Sequence, residues 1–261
     1  MYTNDARTKV ITVGVGGATS SGKTTLVKHL QGCLHNSLII HQDDFVTPLE
    51  KLPVDTEYGF ADCEDAPTAV DWDRMATFLS ESRMKGILPA DHRSFEGLNE
   101  AKVVPVDQEV IAKWQGRSEE LVSEHLERYG EKLVWVLIDG FLLYWDERIV
   151  SNLDVRVFLR VPEDIARARR EDRTYHTPEL ILSTDGGVWR DPPHYWEKAI
   201  WPAYTRAHKH IFEGGDVIEG IPNETIKNIM LFEPTETRVE DMVDVIVENV
   251  INVSAKTFEK N

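Results

Sequence analysis

The sequence predicts an α/β protein: a parallel sheet of about five strands, flanked by helices. Three observations predict it. Apolar runs of strand length alternate with helical patterns along most of the chain. The run "KLVWVLIDG" is nearly continuous, as in a strand covered on both faces. The chemistry-bearing stretches follow directly on predicted strands or helices, where open α/β sheets hold their ligands.

The elements follow in order. A strand over about 10–15 leads into "GGATSSGKTT" and a helix over about 23–34. "SLIIHQ" is a second strand, ending at Asp43–Asp44. Residues 46–70 read as loop, with Pro48, Pro53, Gly59 and Pro67. A helix is expected over about 72–84 and irregular chain over 85–105. "DQEVIAKWQGRSEELVSEHLERYG" is a polar helix with a break expected near Gly116. "KLVWVLIDG" and "LDVRVFLRV" are strands, and Pro162 suits a first helical position in a helix reaching about Arg173. Residues 174–193 read as loop and 194–213 as one long helix. "TIKNIMLF" is a last strand and "RVEDMVDVIVENV" a last helix. No internal repeat or low-complexity tract interrupts this order.

Composition excludes some functions. The 261 residues suit one large α/β domain or two small ones, and 41 % hydrophobic content suits a full core. With 45 acids against 29 bases, net charge is −16, which argues against a broad nucleic-acid footprint. Polyphosphate would be held by a few focused groups. Two cysteines, Cys33 and Cys63, suit a reducing compartment: the cytosol by default, with the nucleus left open. No apolar run approaches the ~18 residues of a membrane span. The first ten residues lack the apolar region of a signal peptide. Nothing in the sequence fixes the oligomeric state.

Gly17, Gly22, Lys23 and Thr24 fit the phosphate-loop spacing G-x-x-x-x-G-K-[ST], here between a predicted strand and a predicted helix. The amides of Gly17, Ala18, Thr19, Ser20, Ser21, Gly22, Lys23, Thr24 and Thr25 form the expected nest for a nucleoside triphosphate. Lys23 would reach the β/γ-phosphates, and the Thr24 hydroxyl would hold Mg²⁺.

"QDDF" is expected to place a carboxylate pair beside that loop. An isolated Asp-Asp pair more often caps a turn. At the end of a strand in a phosphate-loop protein, Asp43 is instead the candidate general base and a Mg²⁺ partner, with Asp44 bracing the site. Asp139, ending "VLID", resembles a second metal carboxylate. Gly140 follows it where a motor ATPase would carry a glutamate.

Arg167, Arg169, Arg170 and Arg173 share one predicted helix. Guanidiniums suit charge developing on a transferring phosphoryl group. Tyr175, Trp189, Tyr195 and Trp201 flank the next loop and offer faces for a planar ring, although Trp201 and Tyr204 are better read as core. His208 and His210 read as surface histidines.

These motifs resemble the nicotinamide riboside kinases, within the uridine kinase-like group of P-loop nucleoside kinases. The resemblance runs through "GATSSGKTT", "QDDF", "EDAPTAVDW", "LIDGFLLY", the arginine helix with "RTY", "WRDPPHYW" and "WPAY", nearly the whole chain. The segment 85–132 looks like the fungal-type members. The resemblance implies a P-loop kinase fold over 1–261, with a lid at about 165–195 and an insertion at about 85–132. It implies ATP with Mg²⁺, a small nucleoside acceptor, and neither nucleic acid nor membrane as partner.

It also implies roles. Asp43 would act on the ribose 5′-hydroxyl and help Thr24 and Asp139 hold Mg²⁺, and Asp65 would bind the ribose hydroxyls. Tyr175 would stack on the base with Asp191 near it, and His176 follows in the same segment. Arg170 and Arg173 would cover the phosphates, and Arg169 would lie near the adenine. Asp44, Phe45, Val46 and Glu64 complete the substrate-side set. Glu64 departs from the family, which tends to carry an aromatic residue there, and Val46 stands where an aromatic can occur. The loop from Tyr175 to Asp191 is longer than expected.

No Asn-Lys-x-Asp guanine motif and no Leu-Ser-Gly-Gly signature is present, which argues against a switch GTPase and an ABC motor. Lys23 and Thr24 argue against a dead phosphate loop. The expected activity is transfer of the ATP γ-phosphate to the 5′-hydroxyl of nicotinamide riboside, with nicotinic acid riboside left open as a second acceptor. The alternatives are a uridine/cytidine-type or other nucleoside kinase, or a non-catalytic binding relative.

Overall fold

The computed structural model describes residues 7–94, 104–172, 175–176 and 188–258, with the backbone alone at 175–176, 188–189 and 257–258. In chain order the elements are β1 (Thr8–Gly17), α1 (Lys23–Cys33), β2 (Ser37–His41), α2 (Ala66–Ala69), α3 (Trp72–Lys85), α4 (Gln108–Tyr129), β3 (Lys132–Gly140), α5 (Glu147–Val150), β4 (Val155–Leu159), α6 (Glu163–Glu171), β5 (Tyr175–His176), β6 (Val188–Trp189), α7 (Trp201–His208), β7 (Ile229–Phe232) and α8 (Val239–Phe258). A 3-10 turn, Gln42–Phe45, follows β2.

Five strands form one parallel sheet in the order β2-β3-β1-β4-β7. Strand periodicity of two sorts β1 between two cores. Ile11, Val13 and Val15 pack with Leu26 and Leu30 of α1, Trp114 of α4 and Val247 of α8. Val10 joins the other core, with Met75 of α3, Ile149 of α5 and Tyr204 of α7. The sheet order corrects one expectation. Asp43 does not lie one strand from the phosphate loop, because β3 fills the slot between β2 and β1. Asp139 is therefore the loop's immediate neighbour. β1 has β3 on one side and β4 on the other, and this is the switch point where open α/β sheets bind ligands.

Four local expectations also change. α4 runs unbroken through Gly116. A lone exposed glycine costs a helix only about 1 kcal/mol. Packing outweighs it: the Trp114 indole donates to Asp244 of α8 at 2.8 Å, and the Ser118 hydroxyl to the Cys33 carbonyl at 2.9 Å. Pro162 is the cap residue before α6, not its first helical residue, and α6 stops at Glu171. Part of 174–193 is not loop, since Tyr175–His176 and Val188–Trp189 pair antiparallel. The helix expected over 194–213 is a π-helical turn, Trp196–Ile200, then α7, then a 3-10 turn. Pro202 lacks an N–H and crowds the preceding turn, which forces the wider winding there.

Candidate functional site

The phosphate loop owes its shape to three backbone angles. Gly17 (φ 138°), Ser20 (φ 57°) and Gly22 (φ 100°) all lie at positive φ. At Gly17 a Cβ would meet the Leu159 carbonyl oxygen of β4 at 2.2 Å, so no side chain fits. No side chain caps α1, and its first turn carries no acid, which leaves its amides to face an anion. Lys23 Nζ donates to the Ala18 carbonyl at 2.7 Å and so folds over the loop.

The strand register sets the next pieces. Asp139 pairs with Val15 on one side and His41 on the other. His41 Nδ1 donates to Asp139 Oδ1 at 2.8 Å, and both side chains are buried. Burial opposes ionisation of Asp139, but the His41 hydrogen bond and charge, the Thr24 hydroxyl and Lys23 together hold its carboxyl below the usual range. Gly140 has a packing reason: a Cβ there would meet Gln42 Oε1 at 2.6 Å, and that oxygen accepts from the Leu142 amide at 2.8 Å. A glutamate after Asp139 would break this joint between "QDDF" and "DGFLLY".

Within the turn, Asp43 is exposed while Gln42, Asp44 and Phe45 are buried. Asp44 is braced by Ser94, which donates at 3.3 Å, by His92 at 3.5 Å, and by Arg74, which donates to the Asp44 carbonyl at 2.6 Å. Phe45 turns into the core, edge-on to Phe78 at 5.1 Å and beneath the Arg74 guanidinium. Val46 forms a backbone bridge to Val70.

α6 carries the connection across the site. Arg169 reaches the Ser20 carbonyl at 3.4 Å. Arg170 donates to Thr19 Oγ1 at 3.0 Å, to Asp191 at 2.6 and 2.9 Å, and to Glu64 at 3.4 Å. Arg167 points elsewhere, to Glu171 and Glu197. Asp65 is met by Arg206 of α7 at 3.2 Å. Burial raises the Glu64 carboxyl pKa; Arg170 opposes the rise, while Asp191, Asp43 and Asp62 add to it. Arg173 lies outside the described residues, and Tyr175 and His176 are described in backbone alone.

A small, partly open pocket lies beside the loop, walled by Ala18, Thr19, Glu64, Phe141, Trp201 and Tyr204, among others. Tyr195, expected to offer a face, is 1 % exposed and packs edge-on against Phe60. His208 is not a surface residue. It is buried, Nδ1 donates to the Tyr204 carbonyl at 2.8 Å, and burial lowers its pKa to about 4. His210 donates to the Tyr144 carbonyl at 3.1 Å.

Sequence reasoning missed His41, Arg74, His92 and Arg206. His41 had a signal, standing just before "QDDF" on a strand. The others come from helix α3, helix α7 and the chain after α3, and none lies in a motif.

A phosphate loop on the central strand of a five-stranded parallel sheet, ringed by carboxylates and an arginine helix, defines a P-loop kinase. Nicotinamide riboside kinase of Schizosaccharomyces pombe is 31 % identical over 246 residues, 94 % of this chain and 97 % of that protein. The enzyme of that name from Eremothecium gossypii is 32 % identical over 222 residues, 83 % of each chain, and nicotinamide riboside kinase 2 of Mus musculus is 28 % identical over 203 residues, 78 % of this chain and 82 % of its own. This chain belongs to the nicotinamide riboside kinase family. No protein-family model matches it. No helix among the described residues is long and apolar enough to cross a membrane.

Proposed function

We propose that the protein transfers the γ-phosphate of ATP to the 5′-hydroxyl of nicotinamide riboside, giving nicotinamide mononucleotide for NAD synthesis. The observation that carries this reading is Arg170. One guanidinium touches Thr19 of the phosphate loop and also Asp191 and Glu64, so in this reading it links a donor side to an acceptor side. The names of the relatives supply the acceptor.

In this reading the amides of the loop and Lys23 bind the β- and γ-phosphates. Asp43, exposed at the end of β2, orients the 5′-hydroxyl and takes its proton as the oxygen bonds to phosphorus and ADP departs. Arg169, Arg170 and Arg173 bear on the charge of the transferring group. Asp65, held by Arg206, meets the ribose hydroxyls. Tyr175 stacks on the base.

Thr24, Asp43 and Asp139 would hold Mg²⁺. They offer hard oxygen donors, and Asp139 is kept ionised by its neighbours, which fits a small divalent cation. When bound, such an ion neutralises charge on the β- and γ-phosphates.

ADP release measured with nicotinamide riboside, nicotinic acid riboside, uridine and cytidine tests the reading. Turnover with a pyridine nucleoside at the highest kcat/KM is expected. A preference for uridine or cytidine would replace it with the pyrimidine nucleoside kinase reading. No turnover with any of the four would replace it with a binding role.

A further inference from the structure

The cavity beside the phosphate loop has an unusual wall. Among the described residues that line it, Glu64 alone is charged. Its side chain is 11 % exposed. Phe141, Trp201 and Tyr204 supply aromatic surface around it, and Trp201 and Tyr204 sit 4.9 Å apart, ring centre to ring centre. A buried carboxyl group amid aromatic faces and other acids is the arrangement that favours a cation: a cation offsets the burial and the neighbouring Asp191, Asp43 and Asp62 that oppose ionisation of Glu64, and the rings present their negative faces.

The guanidinium that could neutralise Glu64 is shared. Arg170 spends its Nε and Nη2 on Asp191 at 2.6 and 2.9 Å, and its approach to Glu64 is the longer one, 3.4 Å. Among the described residues, Asp62 also stands against Glu64, its carboxylate accepting from the Glu64 amide at 3.1 Å.

We propose that Glu64 makes this acceptor site selective for nucleosides whose base is a planar cation bearing a neutral substituent. Nicotinamide riboside has such a base: a pyridinium with a carboxamide. Nicotinic acid riboside carries a carboxylate on the same ring, which would face Glu64 and Asp191 as a like charge. Uridine and cytidine have no positive charge to offer. The inference rests on the kinase reading above and narrows it to one of the two pyridine nucleosides.

The test is kcat/KM for nicotinamide riboside and nicotinic acid riboside, in the wild type and in Glu64→Gln. The wild type should favour nicotinamide riboside by ~10-fold or more, the size expected of one partly screened charge pair. Glu64→Gln should pull the ratio toward one, through a raised KM for nicotinamide riboside and a lowered KM for nicotinic acid riboside. The KM for ATP and the melting temperature report whether the variant keeps its fold. A wild-type ratio near one overturns the proposal without recourse to the variant, and leaves the kinase reading standing. A ratio that Glu64→Gln does not move also overturns it. No turnover of either nucleoside overturns the kinase reading and this inference together.

Discussion

The two halves of the site are built differently. The donor half is backbone. Gly17, Ser20 and Gly22 take positive φ at the end of the central strand, and strand register alone brings Asp139 against Val15 and His41. The acceptor half is side chain. Glu64, Asp65, Arg170, Asp191 and Arg206 come from four separate segments and meet through ion pairs. A backbone site tolerates little change, because altering it means altering the sheet. A side-chain site can be re-tuned one residue at a time. Donor-side substitutions should therefore strike every acceptor alike, and acceptor-side ones should change which acceptor is used.

The sharpest blow to this contrast would come through Asp43, the general base in the proposed function. Asp43→Ala should cut kcat by about 10³-fold while ATP still binds, the size of a lost general base. A variant with near-full kcat, in a steady-state assay beside an ATP titration, would remove Asp43 from the chemistry. Arg170 is next. It touches both halves, so Arg170→Ala should lower kcat/KM roughly 10²-fold and raise KM for ATP and nucleoside together. A change in one KM alone would break the link drawn between Thr19 and Asp191. A double-mutant cycle with Asp191→Asn should show strong coupling, since the two share 2.6 and 2.9 Å contacts.

The same contrast explains what could be read from the sequence. Apolar runs announced all five strands of the sheet, most strongly in β1, β3 and β4, which are largely buried, and less so in the half-buried edge strands β2 and β7. "GATSSGKTT" announced the donor half, because a phosphate nest needs glycines at fixed spacing. The order of strands was not written locally. Asp43 follows β2 in sequence, yet nothing nearby says that β3 slips between β2 and β1. Two-residue strands such as β5 and β6 leave no periodicity to detect. Arg206 and His92 matter through partners far along the chain, Asp65 and Asp44, and no spacing rule connects them. His208 was misread because "HKH" looks polar, whereas helix α7 turns its first histidine inward beneath Phe158, 5.2 Å from ring to ring.

That histidine offers a way to load the acceptor side selectively. The folded pKa of His208, about 4, lies below the ordinary 6.5. As pH falls below 6.5 the unfolded chain takes the proton first, so stability present at pH 7 is lost progressively toward pH 4. At pH 5 the loss from this group should be about 2 kcal/mol. His208→Gln should flatten that part of the stability curve, seen as a smaller difference between urea unfolding at pH 7 and pH 5. An unchanged difference would mean that His208 titrates normally.

The smallest effect expected is also the most discriminating. In the function proposed above, Tyr175 serves the acceptor side alone, as a face for the base. Tyr175→Ala should raise the nucleoside KM roughly 5-fold, the worth of one aromatic stack, and move the ATP KM less than about 2-fold. The two constants need measuring at saturating levels of the other substrate, so that a general loss of closure does not pass for a loss of stacking. Equal rises in both would mean that residue 175 acts through the lid as a whole. A rise confined to the nucleoside, alongside an Arg170→Ala variant that moves both, would separate a residue of one half from the residue that joins the two.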